Sequence, residues 1–356
     1  MLTNFVYHLL LLRGATPVDE CEILCGELHG DPDEDNGEDL SSRYKRKLDG
    51  WLDNVPFASQ LLTRVEPTDA TFMFGSIDFS RCPALEDLKM STCRIHADRI
   101  SSQSLTYLSI ADYCFHGETW TRFSTPRLIS LELDVGSGRA PFLENMPLLV
   151  AANVTLDDWC NDTCSHNVCG HKGYSWQRSH SSRDSCYCIN DDGSGVYLEN
   201  LTSCDSFYDR NDGSSVLLEG LSDATDLELT SDLRVFIFRK NYKSGTTSFN
   251  NLKTLLLNEW CMAVDFGPLV FFLHCSPVLE KHALQLGHCE TRHPVVKTDE
   301  SCSPTEQLFS VSKQLMIVEI KCVKENKLVE KLLLLLTTNG VPRKQIHIEE
   351  NFSPPD

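Results

Sequence analysis

The segment Cys82-Pro-Ala-Leu85-Glu-Asp-Leu88-Lys-Met90 indicates the fold, because its pattern recurs along the chain. Apolar residues occupy the first, fourth and sixth places of a Leu-x-x-Leu-x-Leu unit, and the last two share one face of a short strand. The further copies begin, in chain order, at Leu105, Leu128, Leu149, Ala224, Leu252, Leu279 and Leu315, with the weaker matches at 149, 224 and 279.

Proline marks the start of four of these units. It stands two residues before the first apolar position at Pro83, Pro126, Pro147 and Pro277. Proline ends the preceding segment and restricts its neighbour to extended backbone, so we expect an extended lead into each strand. A single unit of this kind cannot bury its leucines alone, and neighbouring units stack. The sequence therefore predicts an α/β fold, a leucine-rich-repeat (LRR) solenoid with a curved parallel sheet.

Two regions precede or interrupt the predicted repeats. Residues 1–80 form an N-terminal segment with an acidic loop, and the solenoid is expected over 81–290. Within it, an insertion at about 157–215 is rich in Asp, Ser, Cys and Gly. Insertions in repeat proteins map to surface loops, which is where we expect this one.

The C-terminal end has a different pattern. A strand from Gln314 to Val323, a helix from Glu325 to Thr338 and a strand from Gln345 to Glu349 are expected from the apolar periodicity. An open stack of repeats needs its last core face covered. We therefore predict a strand–helix–strand cap within a C-terminal module at 305–352.

Charge and composition exclude several classes of partner. The chain has 32 Lys and Arg against 51 Asp and Glu, and its formal net charge of -19 repels phosphate backbones and anionic lipid headgroups. We therefore expect neither nucleic acid nor a membrane as a partner. The 16 cysteines are spread over a long chain without an export signal, which favours reduced thiols and a cytoplasmic or nuclear location.

No set of residues predicts catalysis. Gly-x-Ser-x-Gly, Walker and dinucleotide fingerprints are lacking, so we expect no enzyme activity, no catalytic residues and no cofactor. The densest group of metal-ligand residue types is Cys160, Cys164, His166, Cys169 and His171. Because this polar loop lacks framing strands, we expect free thiols there and no metal site. His282 occupies a core place where leucine is expected and is interpreted as a tolerated or mildly destabilising substitution.

Between the core positions, the strand residues point to the opposite side of the sheet. Repeat proteins bind partners on this concave side. We predict a partner-binding surface made of Asp87, Lys89, Tyr107, Ser109, Ser130, Glu132, Asp226, Glu228, Thr254, Leu256, Lys281 and Glu319. The alternative is a solvated sheet face without a ligand.

These features together resemble plant F-box/LRR proteins that end in an FBD-type module. The resemblance rests on the repeat strands, on Cys82–Leu88, Phe249–Leu255 and Ser276–Lys281, and on the tail from Leu315 to Asn351. It implies a protein-interaction scaffold, the substrate-binding half of a receptor of an SCF-type ubiquitin ligase. In that family an F-box docks a Skp-type adaptor while the repeats hold a target protein.

The F-box is the point at which this sequence departs from the family. An F-box needs a Leu-Pro start and a Trp-bearing helical end, and nothing before Phe57 fits. We therefore expect the chain to hold an unidentified target protein but not the Skp-type adaptor. The alternatives are a secreted or surface LRR receptor fragment with disulfides, which a thiol count would distinguish, and a degenerate relative without function.

Overall fold

The computed structural model describes residues 19–24, 57–72, 75–115, 121–138, 140–160, 187–189, 195–197, 217–231, 247–287, 309–323 and 327–350. Over these residues the fold is α/β, with mostly parallel strands in curved sheets and few helices. The chain divides into two compact units, Met1–Cys160 (unit 1) and Asn161–Asp356 (unit 2). None of the helices in the described ranges is long and apolar enough to cross a membrane.

The described part of unit 1 consists of strands of 2 to 10 residues. They are β1 (Glu20–Leu24), β2 (Arg64–Thr68), β3 (Thr71–Phe72), β4 (Ser76–Asp78), β5 (Asp87–Ser91), β6 (Arg94–Ile95), β7 (Arg99–Ser101), β8 (Tyr107–Phe115), β9 (Arg122–Ser124), β10 (Ser130–Gly138), β11 (Phe142–Glu144) and β12 (Ala151–Cys160). Strands β1, β2, β5, β8, β10 and β12 lie side by side in this order and in parallel. Strands β4, β7, β9 and β11 form a second, smaller parallel sheet.

The strands of the larger sheet bury every second residue. β2 and β5 both alternate half-buried and buried positions, and Leu88 and Met90 are the buried residues of β5. The leucines at the first place of each predicted unit, such as Leu85 and Leu105, are fully buried as well. The second sheet contributes one buried side chain per strand: Ile77, Ile100, Phe123 and Leu143. These apolar side chains form the core of unit 1, which is why the leucine pattern specifies the sheet.

The prolines before the strands lie in turns. The amide of Leu85 donates to the carbonyl oxygen of Cys82 at 3.1 Å, with Pro83 as the second residue of this four-residue turn. Leu128, Leu149 and Leu279 close the corresponding turns at 3.1, 3.0 and 3.3 Å. The expected extended lead into each strand is therefore wrong. The fixed φ of proline, about -65°, suits the second position of a turn, and the turn delivers the leucine to the core.

Unit 2 combines strands with two helices. In its described part it contains β13 (Tyr187–Ile189), β14 (Gly195–Tyr197), β15 (Asp226–Ser231), β16 (Thr254–Asn258), α1 (Ala263–Cys275), β17 (Lys281–Leu286), β18 (Ile317–Cys322), α2 (Lys327–Thr338) and β19 (Ile346–Glu350). Strands β15 to β19 lie in parallel and in chain order. Strands β13 and β14 pair with each other in antiparallel fashion.

An aromatic cluster joins α1 to the strands of unit 2. The ring centroids of Phe249 and Phe272 are 5.2 Å apart, and Trp260 meets Phe272 edge-on at 6.4 Å. The indole Nε1 of Trp260 also donates to the carbonyl oxygen of Leu229 in β15, at 3.1 Å. The buried indole therefore packs and hydrogen-bonds at once, as a tryptophan in a core requires.

The strand, helix and strand expected at the C-terminal end are found as β18, α2 and β19. α2 buries Leu332, Leu335 and Leu336 along one side, in agreement with its apolar stripe. Beyond the helix, Gly340 adopts a φ of +91°, a conformation that glycine reaches without a Cβ clash. Glycine thus ends the helix where the sequence pattern placed its end.

The same pair of backbone hydrogen bonds precedes strand after strand. Before β8, the amides of Thr106 and Tyr107 both donate to the carbonyl oxygen of Glu86, at 3.0 and 2.9 Å. Equivalent pairs stand before β2, β5, β10 and β12 in unit 1 and before β16, β17 and β18 in unit 2. Successive sequence units therefore begin their strands with the same backbone geometry.

All eight predicted apolar units fall on strands, namely β5, β8, β10, β12, β15, β16, β17 and β18. The sheet of unit 1 also contains β1 and β2, which the pattern did not identify as repeat strands. β2 follows Leu62 and buries Val65 and Pro67, so proline occupies the place of the last leucine. The candidate metal-ligand side chains from Cys160 to His171, and most of the insertion, lie outside what the structure describes.

Candidate binding surface

The residues predicted to bind a partner lie on the side of the strands opposite the core. We call this side of β1, β2, β5, β8, β10 and β12 the unit 1 face, and this side of β15 to β19 the unit 2 face. On the unit 1 face, the strand register aligns Asp87 with Tyr107 and Ser130 in one row. A second row aligns Lys89, Ser109 and Glu132.

The unit 2 face has the same construction. One row contains Asp226, Thr254 and Lys281, followed by Ile317. The next contains Glu228, Leu256, Ala283 and Glu319. Residues in a row come from strands about 4.8 Å apart, so their side chains contact each other across the sheet. All twelve predicted residues thus fall into two rows on each face.

Arg64 opens an ionic network on the unit 1 face. Its Nε donates to Oε1 of Glu66 at 2.7 Å, and its guanidinium also forms an ion pair with that carboxylate. On the other side, Arg64 Nη1 lies 3.5 Å from Oδ2 of Asp87 in the neighbouring strand. Arg64 therefore joins the carboxylates of two strands.

A second chain of contacts runs from Lys89 across the sheet. The ammonium of Lys89 lies over the ring of Tyr107, 5.4 Å from its centroid, which is cation–π geometry. The hydroxyl of Tyr107 donates to Oε2 of Glu132 at 2.6 Å. Partial burial and this hydrogen bond raise the pKa of Tyr107, so the phenol remains a donor at neutral pH. Tyrosine is a residue type that often contributes strongly to protein interfaces, and the ring of Tyr107 is flanked by charges.

Asp87 is the least satisfied member of this network. Among the described residues, no group donates a hydrogen bond to its buried Oδ1, and its Oδ2 has an ion pair with Arg64 at 3.5 Å. Loss of water raises the pKa of Asp87, and Arg64 and Lys89 oppose this rise. The nearby carboxylates Glu66 and Glu132 raise the pKa further. The negative charge of Asp87 is thus held in place without full compensation.

The unit 2 face is less densely paired. Nζ of Lys281 lies 2.9 Å from Oε1 of Glu319, across two neighbouring strands. The half-buried Leu256 and the adjacent, buried Ala283 are the apolar residues between the charged Glu228 and Glu319 in this row. This face therefore offers an apolar centre with a charged border, the usual composition of a protein-binding patch.

His282 belongs to the core and not to either face. Its side chain is fully buried in β17, and Nδ1 lies 3.2 Å from the carbonyl oxygen of Leu255. Because a carbonyl oxygen can only accept, Nδ1 carries the proton and Nε2 is left as an acceptor without a donor. Burial lowers the pKa of His282 to about 4, so the ring is neutral at physiological pH. The interpretation as a core substitution fits this environment.

Six cysteines whose side chains the structure describes lie outside disulfide bonds: Cys21, Cys82, Cys93, Cys261, Cys275 and Cys322. Cys82, Cys93, Cys261 and Cys322 are buried, and burial raises the pKa of Cys82, Cys261 and Cys322. A nucleophilic or metal-binding cysteine needs the opposite shift, toward the thiolate. Over the described ranges, no group of three or more His, Cys, Asp or Glu side chains is arranged to hold a metal ion.

Sequence reasoning missed several residues of these surfaces. Arg64 and Glu66 stand in the same rows as the predicted residues, but the unit Leu62-x-x-Val65-x-Pro67 was not identified. On the second sheet, Arg99 and Arg122 both approach Oε1 of Glu144, at 3.0 and 3.5 Å. A search that allowed proline at the sixth place would have found β2 and its two charged residues.

Comparisons with models of protein families, with curated proteins and with solved structures found no match to this chain.

Proposed function

We propose that this chain is a leucine-rich-repeat solenoid that holds another protein against its polar sheet faces, in the manner of the substrate-binding half of an SCF-type receptor. It acts as a scaffold and not as an enzyme. The observation that carries the proposal is the pairing of aligned polar rows on one side of the strands with buried leucines on the other, seen within each unit.

Two further features support the repeat architecture. The hydrogen-bond pair before the strands and the turn that closes on a buried leucine recur in both units. In unit 2, α2 follows β18 and precedes β19 in the chain and buries Leu332, Leu335 and Leu336, where a C-terminal cap similar to an FBD-type module would lie. Local geometry repeated at this spacing is characteristic of solenoids, which bind partners through their exposed strands.

The composition of the faces supports protein as the ligand class. Tyr107, Arg64 and Leu256 are residue types that contribute to protein interfaces, and they alternate with charges that can fix the register of a partner. The rows are open sheet surfaces and not an enclosed cavity of the kind that small molecules require. A protein surface or an extended segment matches them better.

Site-specific photo-crosslinking tests the proposal. A benzophenone amino acid is placed at Ser109 on the unit 1 face or at Leu256 on the unit 2 face, and crosslinked proteins are identified by mass spectrometry. Matched controls carry it at Ser124 on the second sheet and at Leu334, which is exposed on α2. We expect crosslinked protein from the face positions and not from the controls. Equal crosslinking from the controls, or none from the faces, would refute the proposal.

A further inference from the structure

We propose that the unit 1 face binds a basic segment of its partner protein, with Asp87 at the centre of the contact. This inference rests on the proposed function, because it specifies the chemistry of a protein bound at that face. Within the described part of the chain, the carboxylate of Asp87 has a buried Oδ1 without a hydrogen bond, and its Oδ2 forms one ion pair, at 3.5 Å.

Asp87 is also accessible from the side where a partner would approach. About a quarter of its side chain, 25%, is exposed, and it points to the unit 1 face between Arg64 and Tyr107. An arginine or lysine from a partner can therefore reach Oδ2, where the contact to Arg64 is long for an ion pair with hydrogen bonding. The aliphatic part of that side chain would pack on the ring of Tyr107.

The charge of the whole face favours the same occupant. Its described positions include six carboxylates and two cations: Glu20, Glu22, Glu66, Asp87, Glu132 and Asp134 against Arg64 and Lys89. Both cations are already engaged, Arg64 by carboxylates and Lys89 by the ring of Tyr107. The face thus presents excess negative charge to a partner.

This acidity is specific to the face and does not merely reflect the net charge of the chain. The outward positions of the second sheet carry two arginines and two carboxylates: Arg99, Arg122, Asp78 and Glu144. That surface is balanced, whereas the unit 1 face is not. Electrostatic complementarity sets both the orientation and the association rate of protein partners, so a basic segment is steered to this face.

A basic probe peptide tests the inference. A fluorescein-labelled peptide of four Arg-Ser repeats is titrated with the full chain at physiological ionic strength, where the screening length is about 8 Å, and fluorescence anisotropy reports its Kd. Asp87→Asn removes the central charge, and we expect it to weaken binding about fivefold or more. Asp223→Asn removes an equal charge from the turn before β15 and should change the Kd less than about twofold.

A third variant distinguishes the loss of a specific charge from a loss of folding. Lys89→Gln removes a competing positive charge, so we expect the peptide to bind about twofold tighter or more, which misfolding cannot produce. Equal effects of Asp87→Asn and Asp223→Asn, or no gain with Lys89→Gln, would overturn the inference. So would tighter binding of a matched Glu-Ser peptide.

Failure here is distinguishable from failure of the proposed function. If Ser109 still crosslinks a protein while the probe does not discriminate among the variants, the face binds a partner of other chemistry. If the crosslinks are missing as well, the protein-binding role itself is wrong.

Discussion

His282 stands in a row of β16, β17 and β18 where its neighbours are Leu255 and Val318. Its Nδ1 donates to the carbonyl oxygen of Leu255, whereas no described group donates to its Nε2. An unsatisfied buried acceptor costs free energy that an apolar side chain of similar size does not. The histidine therefore weakens a core that leucine would fill.

Replacement of this residue should stabilise the protein. We expect His282→Leu to raise the free energy of unfolding by about 1 kcal/mol or more, because it removes the unpartnered Nε2 and adds apolar burial. Urea denaturation measures the change. His282→Asn, which keeps an N–H donor near the place of Nδ1, should be less stable than the leucine variant. A lower unfolding midpoint for His282→Leu would show that the bond to Leu255 outweighs the orphaned nitrogen.

The same residue predicts a dependence of stability on pH. The pKa of His282 falls from 6.5 to about 4 on folding, so between these values the unfolded chain binds a proton that the folded chain does not. Above pH 6.5 the protonation of this histidine therefore takes nothing from the free energy of unfolding. As the pH falls from 6.5 toward 4, the unfolded chain gains the proton and the free energy of unfolding decreases.

The advantage of His282→Leu over the original protein should accordingly grow by about 2 kcal/mol between pH 7.5 and pH 5. Unfolding curves of both proteins at the two pH values give this difference. Leu284→Ala, a truncation in the same strand without a titrating group, should cost the same at both. A constant gap between His282→Leu and the original would contradict the lowered pKa.

Where β16 ends, the side chain of an asparagine makes the hydrogen bonds that join this strand to β15. The side-chain amide of Asn258 donates to the carbonyl oxygen of Ser231 at 3.0 Å, and its Oδ1 accepts from the amide of Ser231, also at 3.0 Å. On the other side, Glu259 Oε2 accepts from the amide of Gly287 at 3.1 Å. Where the chain leaves β16 toward α1, the side chains of Asn258 and Glu259 thus make hydrogen bonds to backbone groups in place of backbone–backbone pairing.

Removal of this bridge should loosen β15 from β16. We expect Asn258→Ala to lower the free energy of unfolding by about 2 kcal/mol, because two hydrogen bonds to a buried residue are lost together. Thermal unfolding reports the change, and amide exchange near Ser231 should become faster. The matched control is Asn250→Ala, at an exposed asparagine, which should have little effect. Similar losses from both variants would show that the bridge contributes nothing of its own.

The strands that could be predicted are those whose core places carry ordinary apolar residues. Leu88 and Met90 lie in a clear period of two, but β2 has Pro67 at such a place and escaped notice. The second sheet could not be predicted from the sequence for another reason. Each of its strands has three residues and one buried side chain, such as Ile77, so no periodicity marks it.

For the candidate site, the alternation of core and outward residues along each strand was sufficient to identify the face. It did not identify which side chains on the face contact each other. Tyr107 and Glu132 are 25 residues apart and meet because β8 and β10 pair in a particular register. That register depends on the length of every turn and short strand between them. Which charges pair, and that Asp87 is left under-compensated, therefore required the three-dimensional structure.

In the proposed function, different parts of the chain would serve different roles. The faces would hold the target, while coupling to a ubiquitin ligase would need a docking element for the adaptor. In the F-box/LRR proteins to which the proposal compares this chain, that element is the F-box. The described part of residues 1–57 contributes β1, a strand paired in parallel with β2.

Adaptor binding needs amphipathic helices that fill a groove, and residues 1–57 show no sequence pattern for them. We therefore expect the purified 356-residue chain to retain its target but not a Skp-type adaptor at micromolar concentration in a pull-down. Produced beside a receptor of the same target that carries an F-box, it should slow degradation of that target by competition, which a chase of target abundance measures. Fusion of an authentic F-box ahead of Met1 provides the control, because it should restore adaptor binding without altering crosslinks from Ser109. Retention of the adaptor by the unfused chain would show that another surface recruits the ligase.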